Sequence, residues 1–316
     1  MPRVLLVKTS SLGDVVHNLP VVSDVSRASP AARIDWAVEE TFAAIPRLHP
    51  HVNRVIPVAI RRWRSHWPTR EVRSEIAAFL TSLRSEPYDA IIDTQGLLKS
   101  ALVARAARGK RFGLDWKSSR EPLALFYDRT FAVSRSAHAV ERNRRLAAHV
   151  LSYTPSDTVT YGIGAPRAEC AWLPPDYAVF MHATSAREKL WNESSWIALG
   201  RALLARHGLR PILPWGSSAE RERGERLAGA IPGALVCPRL PLRDLASVLS
   251  GARCAIGVDT GLTHLAGALG VPTVGIYNAT EPARTGLYGC ARAVNVGGIA
   301  RAPTVDEVVR VLESVL

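Results

Sequence analysis

One stretch of the chain, CAIGVDTGLTHLAGALGVPTVGIY from Cys254 to Tyr277, decides the fold. It predicts a buried strand, a polar turn at 259–261, a helix over 262–269 and a second buried strand. Small residues at 266–268 let this helix pack close to a sheet. Open α/β sheets bind ligands at the carboxyl ends of their strands, and free N–H groups at a helix start suit a phosphate. An ordinary β-α-β crossover has the same pattern, so the stretch predicts an α/β fold with a candidate anion site.

The same alternation of strands and helices extends through the rest of the chain and predicts parallel sheets with right-handed crossovers. It breaks in the turn-rich segment 152–176, where two consecutive prolines cannot continue a helix. We therefore expect two domains, over 1–155 and 170–316, in an arrangement that lets the last helix pack back on the first domain. The predicted strands are 4–7, 34–38, 55–58, 88–93, 177–183 and 210–214. One helix is predicted to begin at residue 15, and the other predicted helices span 72–84, 97–107, 194–207, 219–230, 242–250 and 304–316.

The composition describes a globular protein with two cores. The chain has 316 residues, of which 47% are hydrophobic. It has no run of about 18 apolar residues that could span a membrane. The N-terminus lacks the apolar region and cleavage site of a signal peptide, so we expect a cytoplasmic protein.

The four cysteines show no metal-site pattern. No CxxC pair or accompanying histidine cluster is present, so the sequence predicts no zinc site. We interpret all four as small buried residues in a reducing compartment. They are Cys170, Cys237, Cys254 and Cys290.

The formal net charge of +12 indicates an anionic partner, such as nucleic acid, an acidic membrane surface or a phosphorylated substrate. Alternatively, the charge reflects only an arginine-rich composition without functional meaning. The positions of the arginines decide between these two interpretations. The segment Ile60–Trp67, IRRWRSHW, contains three arginines and two tryptophans. A solvated charged face is the simpler interpretation, but exposed tryptophans favour a binding segment. Further basic residues of the same half are Lys99, Arg120, Arg142 and Arg144.

The loop after the first strand, KTSSLGD from Lys8 to Asp14, is the first candidate for chemistry. Asp14 is predicted at or just before a helix N-terminus, where the ionised carboxylate is stabilised. At the carboxyl edge of a sheet this carboxylate is a candidate general base. Aspartate is also a favoured helix N-cap, so the residue type alone does not decide between the two roles.

Two loops of the second half carry further candidates. After the strand at 177–183, Thr184 and Ser185 offer hydroxyls and Lys189 offers a positive charge to a phosphate. After the strand at 210–214, Glu220 lies near a helix start, where it could accept from ribose hydroxyls. Ordinary capping residues and first-turn acids explain both loops equally well.

The segments KTSSLGDVVHNLP, IDTQGLLKS, HAVERNR, LPWGSSAERER and VDTGLTHLAGAL together resemble the bacterial lipopolysaccharide heptosyltransferases, in order and over nearly the whole chain. VIPVAIRRWR and DWKSSREPL resemble the heptosyltransferase I branch of that family. The resemblance implies a GT-B fold, with two Rossmann-like domains facing a central cleft. It implies inverting transfer of heptose from ADP-heptose to the Kdo sugar of Kdo-lipid A in the lipopolysaccharide inner core. Donor binding is then expected in the C-terminal domain and acceptor binding in the N-terminal domain.

The resemblance also implies residue roles. Asp14 matches the general base, and Lys189 matches the residue that stabilises the leaving diphosphate. Glu220 matches the ribose contact and Asp259 a contact to heptose hydroxyls. The remaining donor-binding matches are Thr184, Ser185, Leu240, Thr260, Gly261 and His264, with Ser185 replacing a more common threonine and Leu240 a methionine. The acceptor-binding matches are Ser10, Arg61, Arg62, Arg64, Lys99, Arg120 and Arg142.

The chain lacks a DxD pair, so we expect metal-independent transfer with no cofactor. We also expect peripheral contact with the cytoplasmic face of an anionic inner membrane and no nucleic-acid partner. Three alternatives stay open. They are heptosyltransferase II or III or another GT-B transferase, a nucleotide-sugar epimerase of the same general fold, and a nonenzymatic nucleic-acid-binding protein.

Overall fold

A computed structural model describes residues 1–316, which divide into two compact units over Met1–Ile163 and Gly164–Leu316. The division lies inside the turn-rich segment 152–176. No helix in either unit has the length and apolar character needed to cross a membrane.

The first unit is built on a six-stranded parallel sheet. Its strands are β1 (Arg3–Val7), β2 (Arg33–Glu39), β3 (Val52–Val58), β4 (Tyr88–Asp93), β5 (Gly109–Leu114) and β6 (Arg129–Phe131). Their order in the sheet is β3-β2-β1-β4-β5-β6, so the order reverses at β1 and one half of the sheet grows to each side of it. Val4–Val7 of β1 are buried, as expected for a strand covered on both faces.

The helices of the first unit place apolar faces on this sheet. The helices are α1 (Leu12–Val16), α2 (Leu19–Ala28), α3 (Ile60–Ser65), α4 (Arg70–Arg84), α5 (Leu98–Ala106) and α6 (Ala139–Leu151). Leu5 and Val7 of the sheet share one buried cluster with Phe79 and Leu83 of α4.

The second unit repeats this architecture with the strands β7 (Tyr177–Met181), β8 (Arg210–Leu213), β9 (Leu235–Val236), β10 (Cys254–Val258), β11 (Thr273–Tyr277) and β12 (Ala293–Gly297). Their order in the sheet is β12-β11-β10-β7-β8-β9, and all of them are parallel. The helices are α7 (Glu193–His207), α8 (Ser218–Ala230), α9 (Leu242–Gly251), α10 (Gly261–Ala268), α11 (Pro282–Thr285) and α12 (Val305–Glu313).

The small residues around α10 allow the close packing predicted from the sequence. A Cβ at Gly257 would lie 2.1 Å from Thr263 Oγ1, and one at Gly267 would lie 2.9 Å from Leu287 Cδ2. Side chains at these two positions would therefore push α10 away from β10 and from the loop that contains Leu287.

The last helix, α12, buries Val308 and Leu312 in the core of the second unit. One expectation differs from the structure. The cysteines are not all buried, because Cys170 is exposed and Cys290 is half-buried. Cys170 lies in the irregular segment before β7, which forms no strand or helix to cover it.

Candidate functional site

Each sheet has a topological switch point, where the loops of two adjacent strands turn away in opposite directions. In open α/β sheets such points bind ligands. In the first unit the switch point lies between β1 and β4, and in the second unit between β7 and β10. The loops that follow these four strands begin at Lys8, Thr94, His182 and Asp259, so they contain many of the predicted site residues.

Asp14 is the third residue of α1, two residues further into the helix than its start at Leu12. Its Oδ2 accepts hydrogen bonds from Ser11 N at 2.8 Å and from Ser11 Oγ at 3.0 Å. The helix begins earlier than predicted because Ser11 and Asp14 form a capping box. The carboxylate therefore caps its helix through Oδ2. A single capping role is compatible with a second role as a base, because a carboxylate has two oxygens.

Gln95, which sequence reasoning missed, holds the loop that precedes Asp14. Its Oε1 accepts from Thr9 N at 2.9 Å and from Ser10 N at 3.0 Å. Its Nε2 donates to the Ser10 carbonyl oxygen. One side chain thus satisfies three main-chain groups of the loop. Its position could have marked it as a site residue, because Gln95 is the second residue after β4 at the switch point.

Lys99 and Ser10 lie together, as the acceptor-side prediction requires, because the Lys99 ammonium donates to Ser10 Oγ. Burial lowers the pKa of Lys99, and the charge of Arg61 lowers it further, whereas Glu39 and Asp14 oppose this shift. Four predicted residues, Ser10, Asp14, Arg61 and Lys99, therefore lie close enough to share one electrostatic environment.

Glu39 and Lys8 are buried charged groups at the same edge of the sheet. Burial raises the pKa of Glu39, which accepts a hydrogen bond from Arg61 N at 3.1 Å. Burial lowers the pKa of Lys8, and the charges of Asp14 and Asp93 oppose that shift. The Lys8 ammonium donates to the Thr94 carbonyl at 2.8 Å. The edge thus combines buried charges of both signs around Asp14.

The basic segment is less exposed than the sequence suggested. Arg62 forms ion pairs with Glu40 at 3.0 Å and with Glu75 at 2.8 Å. Trp63 is half-buried and donates its indole N–H to Glu75 at 2.8 Å. The interpretation of both tryptophans as exposed is therefore wrong for Trp63. It holds for Trp67, which is 61% exposed.

The remaining arginines of this segment stay exposed on α3. Arg61 lies with its guanidinium 5.9 Å from the Phe42 ring centroid, and Arg64 is exposed. The pairing of Arg62 with two carboxylates argues against its prediction as an acceptor contact, and leaves that role to Arg61 and Arg64.

The other basic residues have different positions. Arg142 lies in α6 and donates to the Ser118 carbonyl at 2.6 Å, and Arg120 is exposed in the loop after β5. Arg144 is buried and pairs with Asp24 at 2.7 Å. Its inclusion in a basic binding face is therefore wrong, because its charge is used inside the unit.

The second unit brings four predicted donor residues together at its switch point. Lys189 Nζ lies 2.8 Å from Asp259 Oδ2, and His264 Nε2 lies 3.5 Å from Asp259 Oδ1. Thr184 Oγ1 donates to the Asp259 carbonyl at 3.1 Å. Thr280, which sequence reasoning missed, donates to Asp259 Oδ2 at 2.8 Å. Its position could have indicated this role, because Thr280 follows β11, the strand next to β10 at the switch point.

Asp259 is half-buried, and its neighbours favour the ionised form of its carboxyl group. Burial alone would raise the pKa of its carboxyl, but hydrogen bonds from His264, Lys189 and Thr280 hold that pKa well below its usual range. The cluster thus contains a fixed negative charge and a lysine that is 27% exposed at its side chain. Thr260 is the N-cap of α10 and Gly261 its first residue, so the N–H groups of the helix start lie directly after Asp259.

Three further donor predictions are less directly supported. Glu220 Oε2 accepts from Gly216 N at 2.6 Å and from Ser217 N at 3.3 Å, in a capping box at the start of α8. In the structure, the Glu220 carboxylate therefore serves as a cap for the start of α8. Ser185 is exposed in the loop after β7, and Leu240 is half-buried just before α9. No group of three or more His, Cys, Asp or Glu residues is arranged to hold a metal ion.

The chain matches the model of glycosyltransferase family 9 (heptosyltransferase) over residues 76–312. It is 48% identical over 293 residues to Lipopolysaccharide heptosyltransferase 1 of Escherichia coli (strain K12), with 91% of each chain covered.

Two solved structures have a similar fold over their whole length. E. coli heptosyltransferase WaaC with ADP is 42% identical and has a TM-score of 0.89, covering 99% of this chain and 100% of that chain. The complex of WaaC with ADP-2-deoxy-2-fluoro heptose is also 42% identical, has a TM-score of 0.86 and covers 99% of each chain. Together with the two parallel six-stranded sheets, this similarity confirms the predicted GT-B fold.

Proposed function

The chain belongs to glycosyltransferase family 9, the heptosyltransferases, and on that premise we propose that it transfers heptose from ADP-heptose to the Kdo of Kdo-lipid A. The product is part of the lipopolysaccharide inner core. The observation that carries the proposal is the pair of charged sites at the two switch points, one around Asp14 and one around Lys189 and Asp259. Membership of an enzyme family removes the nonenzymatic nucleic-acid-binding alternative.

The second unit would hold the donor. Lys189 and the N–H groups at the start of α10 offer positive charge to the diphosphate, with hydroxyls from Thr184 and Ser185 beside them. Asp259 and His264 would contact the heptose hydroxyls and the diphosphate, respectively. Glu220 would bind the ribose, and Leu240 would lie near the base. The relative solved with ADP and with an ADP-heptose analogue supports this class of donor.

Lys189 has a second task during transfer. As the bond from the anomeric carbon to the diphosphate oxygen breaks, negative charge grows on the departing ADP. A cation that is already in position stabilises this charge more than it stabilises the bound donor. Asp259 holds the Lys189 ammonium at 2.8 Å and so fixes its position before the donor arrives.

The first unit would hold the acceptor. The Asp14 carboxylate takes the proton from a Kdo hydroxyl while that oxygen attacks the anomeric carbon and the diphosphate leaves from the opposite side, which inverts the configuration. Ser10 and Lys99 would orient the Kdo. The exposed Arg61, Arg64 and Arg120 and the half-buried Arg142 would bind phosphates and carboxylates of the acceptor. The charge of Arg61 acts on Lys99.

The same face suits peripheral contact with an anionic membrane on its cytoplasmic side. Arg64 is exposed on α3 and Trp67 is exposed just after that helix, and tryptophan favours the membrane–water interface. Exposed arginines near such a surface each contribute about 1 kcal/mol of attraction.

Competition between donors and between acceptors tests the proposed function. We expect transfer with ADP-heptose and not with UDP- or GDP-sugars, and with Kdo-lipid A rather than with an acceptor that already carries heptose. A preference for the heptosylated acceptor would instead assign a sibling activity of the heptosyltransferase II or III type. Interconversion of a nucleotide sugar without any acceptor would favour the epimerase alternative.

A further inference from the structure

An apolar cavity of about 330 Å³ lies in the first unit between α3, α4 and α5. This volume is near the lower end of the roughly 300–1,000 Å³ of ligand pockets. Its lining includes Ile60 and Trp63 of α3, Phe79 and Leu80 of α4, and Leu102 of α5. We refer to it as the α3–α5 cavity.

The α3–α5 cavity opens to solvent although its lining is apolar. Leu102 is 53% exposed, while Phe79 at its base is buried. The indole N–H of Trp63 is already bonded to Glu75, and the Trp63 ring packs on Phe79 with ring centroids 5.6 Å apart. The cavity wall thus presents no polar group of Trp63 to an occupant. A concave apolar surface that opens to solvent is typical of ligand-binding pockets.

Lys99 connects this cavity to the acceptor residues. It is the one charged residue of the lining, and its ammonium is bonded to Ser10 in the loop that leads to Asp14. With the ammonium bonded there, the stem of the side chain is the part left to line the cavity, as is usual for a lysine at an apolar edge. Arg61, on α3, acts electrostatically on the Lys99 ammonium. A ligand that fits both features has an anionic polar head joined to an apolar chain.

We propose that the α3–α5 cavity binds one acyl chain of the acceptor glycolipid while the Kdo is held at Ser10, Lys99 and Asp14. The proposal rests on the proposed function, because it takes the lipid-linked Kdo as the acceptor. The positive charge of Lys99 and Arg61 matches the anionic head, and the apolar lining matches the chain. The chain that enters the cavity belongs to the acceptor itself, not to bulk membrane lipid.

The test compares acceptors with and without acyl chains. Leu102→Glu places a charge at the cavity mouth, and the 53% exposure of Leu102 allows the variant to fold. We expect its KM for acylated Kdo-lipid A to rise about tenfold, the equivalent of losing roughly two buried methylene groups. Its KM for the fully deacylated Kdo acceptor and its kcat with either acceptor should match those of the wild type.

Two further variants make the result specific. Ala106→Phe fills the same cavity without adding charge and should likewise raise only the KM for the acylated acceptor. Leu125→Glu makes the same substitution at a leucine that is 83% exposed and does not line the cavity, so it should change neither KM.

Three outcomes would overturn the acyl-chain proposal. They are equal KM changes for both acceptors, no change in either cavity variant, or an equal loss of binding by Leu102→Glu to phosphatidylglycerol vesicles that contain no acceptor. The last outcome would assign the cavity to bulk lipid. Failure of the proposed function would look different, because the wild type would then transfer heptose to neither acceptor.

Discussion

Asp14 combines a structural bond and a proposed chemical task in one carboxylate. Its Oδ2 caps α1 through Ser11, so a test has to remove the basic charge and keep the cap. Asp14→Asn does this, because an amide oxygen can still accept from Ser11 N. We expect turnover to fall by about 10²–10⁴, the usual loss for a general base, while calorimetry shows unchanged ADP binding.

The control for Asp14 is Asp89→Asn. Asp89 also accepts from a main-chain N–H, that of Arg3 at 2.8 Å, but it lies at the opposite end of the sheet. This variant should retain wild-type turnover. Near-wild-type turnover of Asp14→Asn would remove the base assignment and leave Asp14 as a helix cap.

Lys189 tests whether the donor site acts on the transition state. Lys189→Ala should lower turnover more than it lowers ADP affinity, because charge on the diphosphate grows only as the bond breaks. Steady-state kinetics and ADP titration measure the two effects. The exposed neighbour Arg187 supplies the matched control, and Arg187→Ala should change both little. Equal losses in turnover and ADP affinity for Lys189→Ala would indicate simple donor binding.

The loop between β1 and α1 has no regular structure, and Gln95 replaces the missing main-chain partners. Gln95→Leu removes three main-chain hydrogen bonds from the loop and so releases Ser10 and Asp14 from their positions. We expect about a tenfold fall in kcat, by analogy with losing roughly one net hydrogen bond, and unchanged ADP affinity. Gln95→Glu keeps an oxygen that can accept from Thr9 N and Ser10 N, so its kcat should lie between that of the wild type and that of Gln95→Leu. Identical kcat for all three would show that the loop is held by other groups.

Element positions could largely be predicted from the sequence, and their ends less so. Strand β4 begins and ends where predicted, because its apolar run is bounded on both sides. Helix α1 starts three residues earlier than Val15, since the capping box of Ser11 and Asp14 extends it. The pairing of Arg62 with Glu40 and Glu75 could not be predicted, because both partners lie more than ten residues away in sequence. The same holds for the bonds of Gln95 to Thr9 and Ser10.

His49 makes the stability of the first unit depend on pH. An ordinary histidine takes up a proton near pH 6.5, while burial lowers the pKa of His49 to about 4. Between these values the unfolded chain binds the proton and the folded unit does not. The contribution of His49 to the free energy of unfolding is therefore fully present above about pH 6.5. It is lost as the pH drops toward 4, by up to about 1.4 kcal/mol per pH unit.

Urea unfolding at pH 7 and pH 5 measures this dependence. His49→Gln, which can still bond to Ser23, should lose less stability between these pH values than the wild type. His66→Gln, at an exposed histidine of the same unit, is the control and should behave as the wild type does. An unchanged pH dependence in His49→Gln would show that His49 does not stay neutral in the fold.

We expect part of the excess positive charge of the molecule to attract the anionic acceptor through exposed arginines of α3. Because Arg62 is paired, the double change Arg61→Ser and Arg64→Ser should remove most of the segment's contribution. We expect a higher KM for the acceptor, a weaker dependence of that KM on salt and unchanged binding of ADP-heptose. Exposed charges act over only about 8 Å at physiological ionic strength, which accounts for the salt effect.

The control for this experiment neutralises two exposed arginines of the same unit, Arg105 and Arg108. Their replacement by serine changes the net charge equally and should leave the acceptor KM unaltered. Equal effects of the two double variants would mean that net charge, and not the α3 segment, attracts the acceptor.

The most direct test of the whole account is the product of one reaction. The purified protein is incubated with ADP-heptose and Kdo-lipid A in the presence of EDTA, and the acceptor is analysed by mass spectrometry. We expect an acceptor heavier by one heptose, formed at the same rate without added metal, because Lys189 and the start of α10 supply the positive charge. An unchanged acceptor mass, or activity that EDTA abolishes and magnesium or manganese restores, would contradict this expectation.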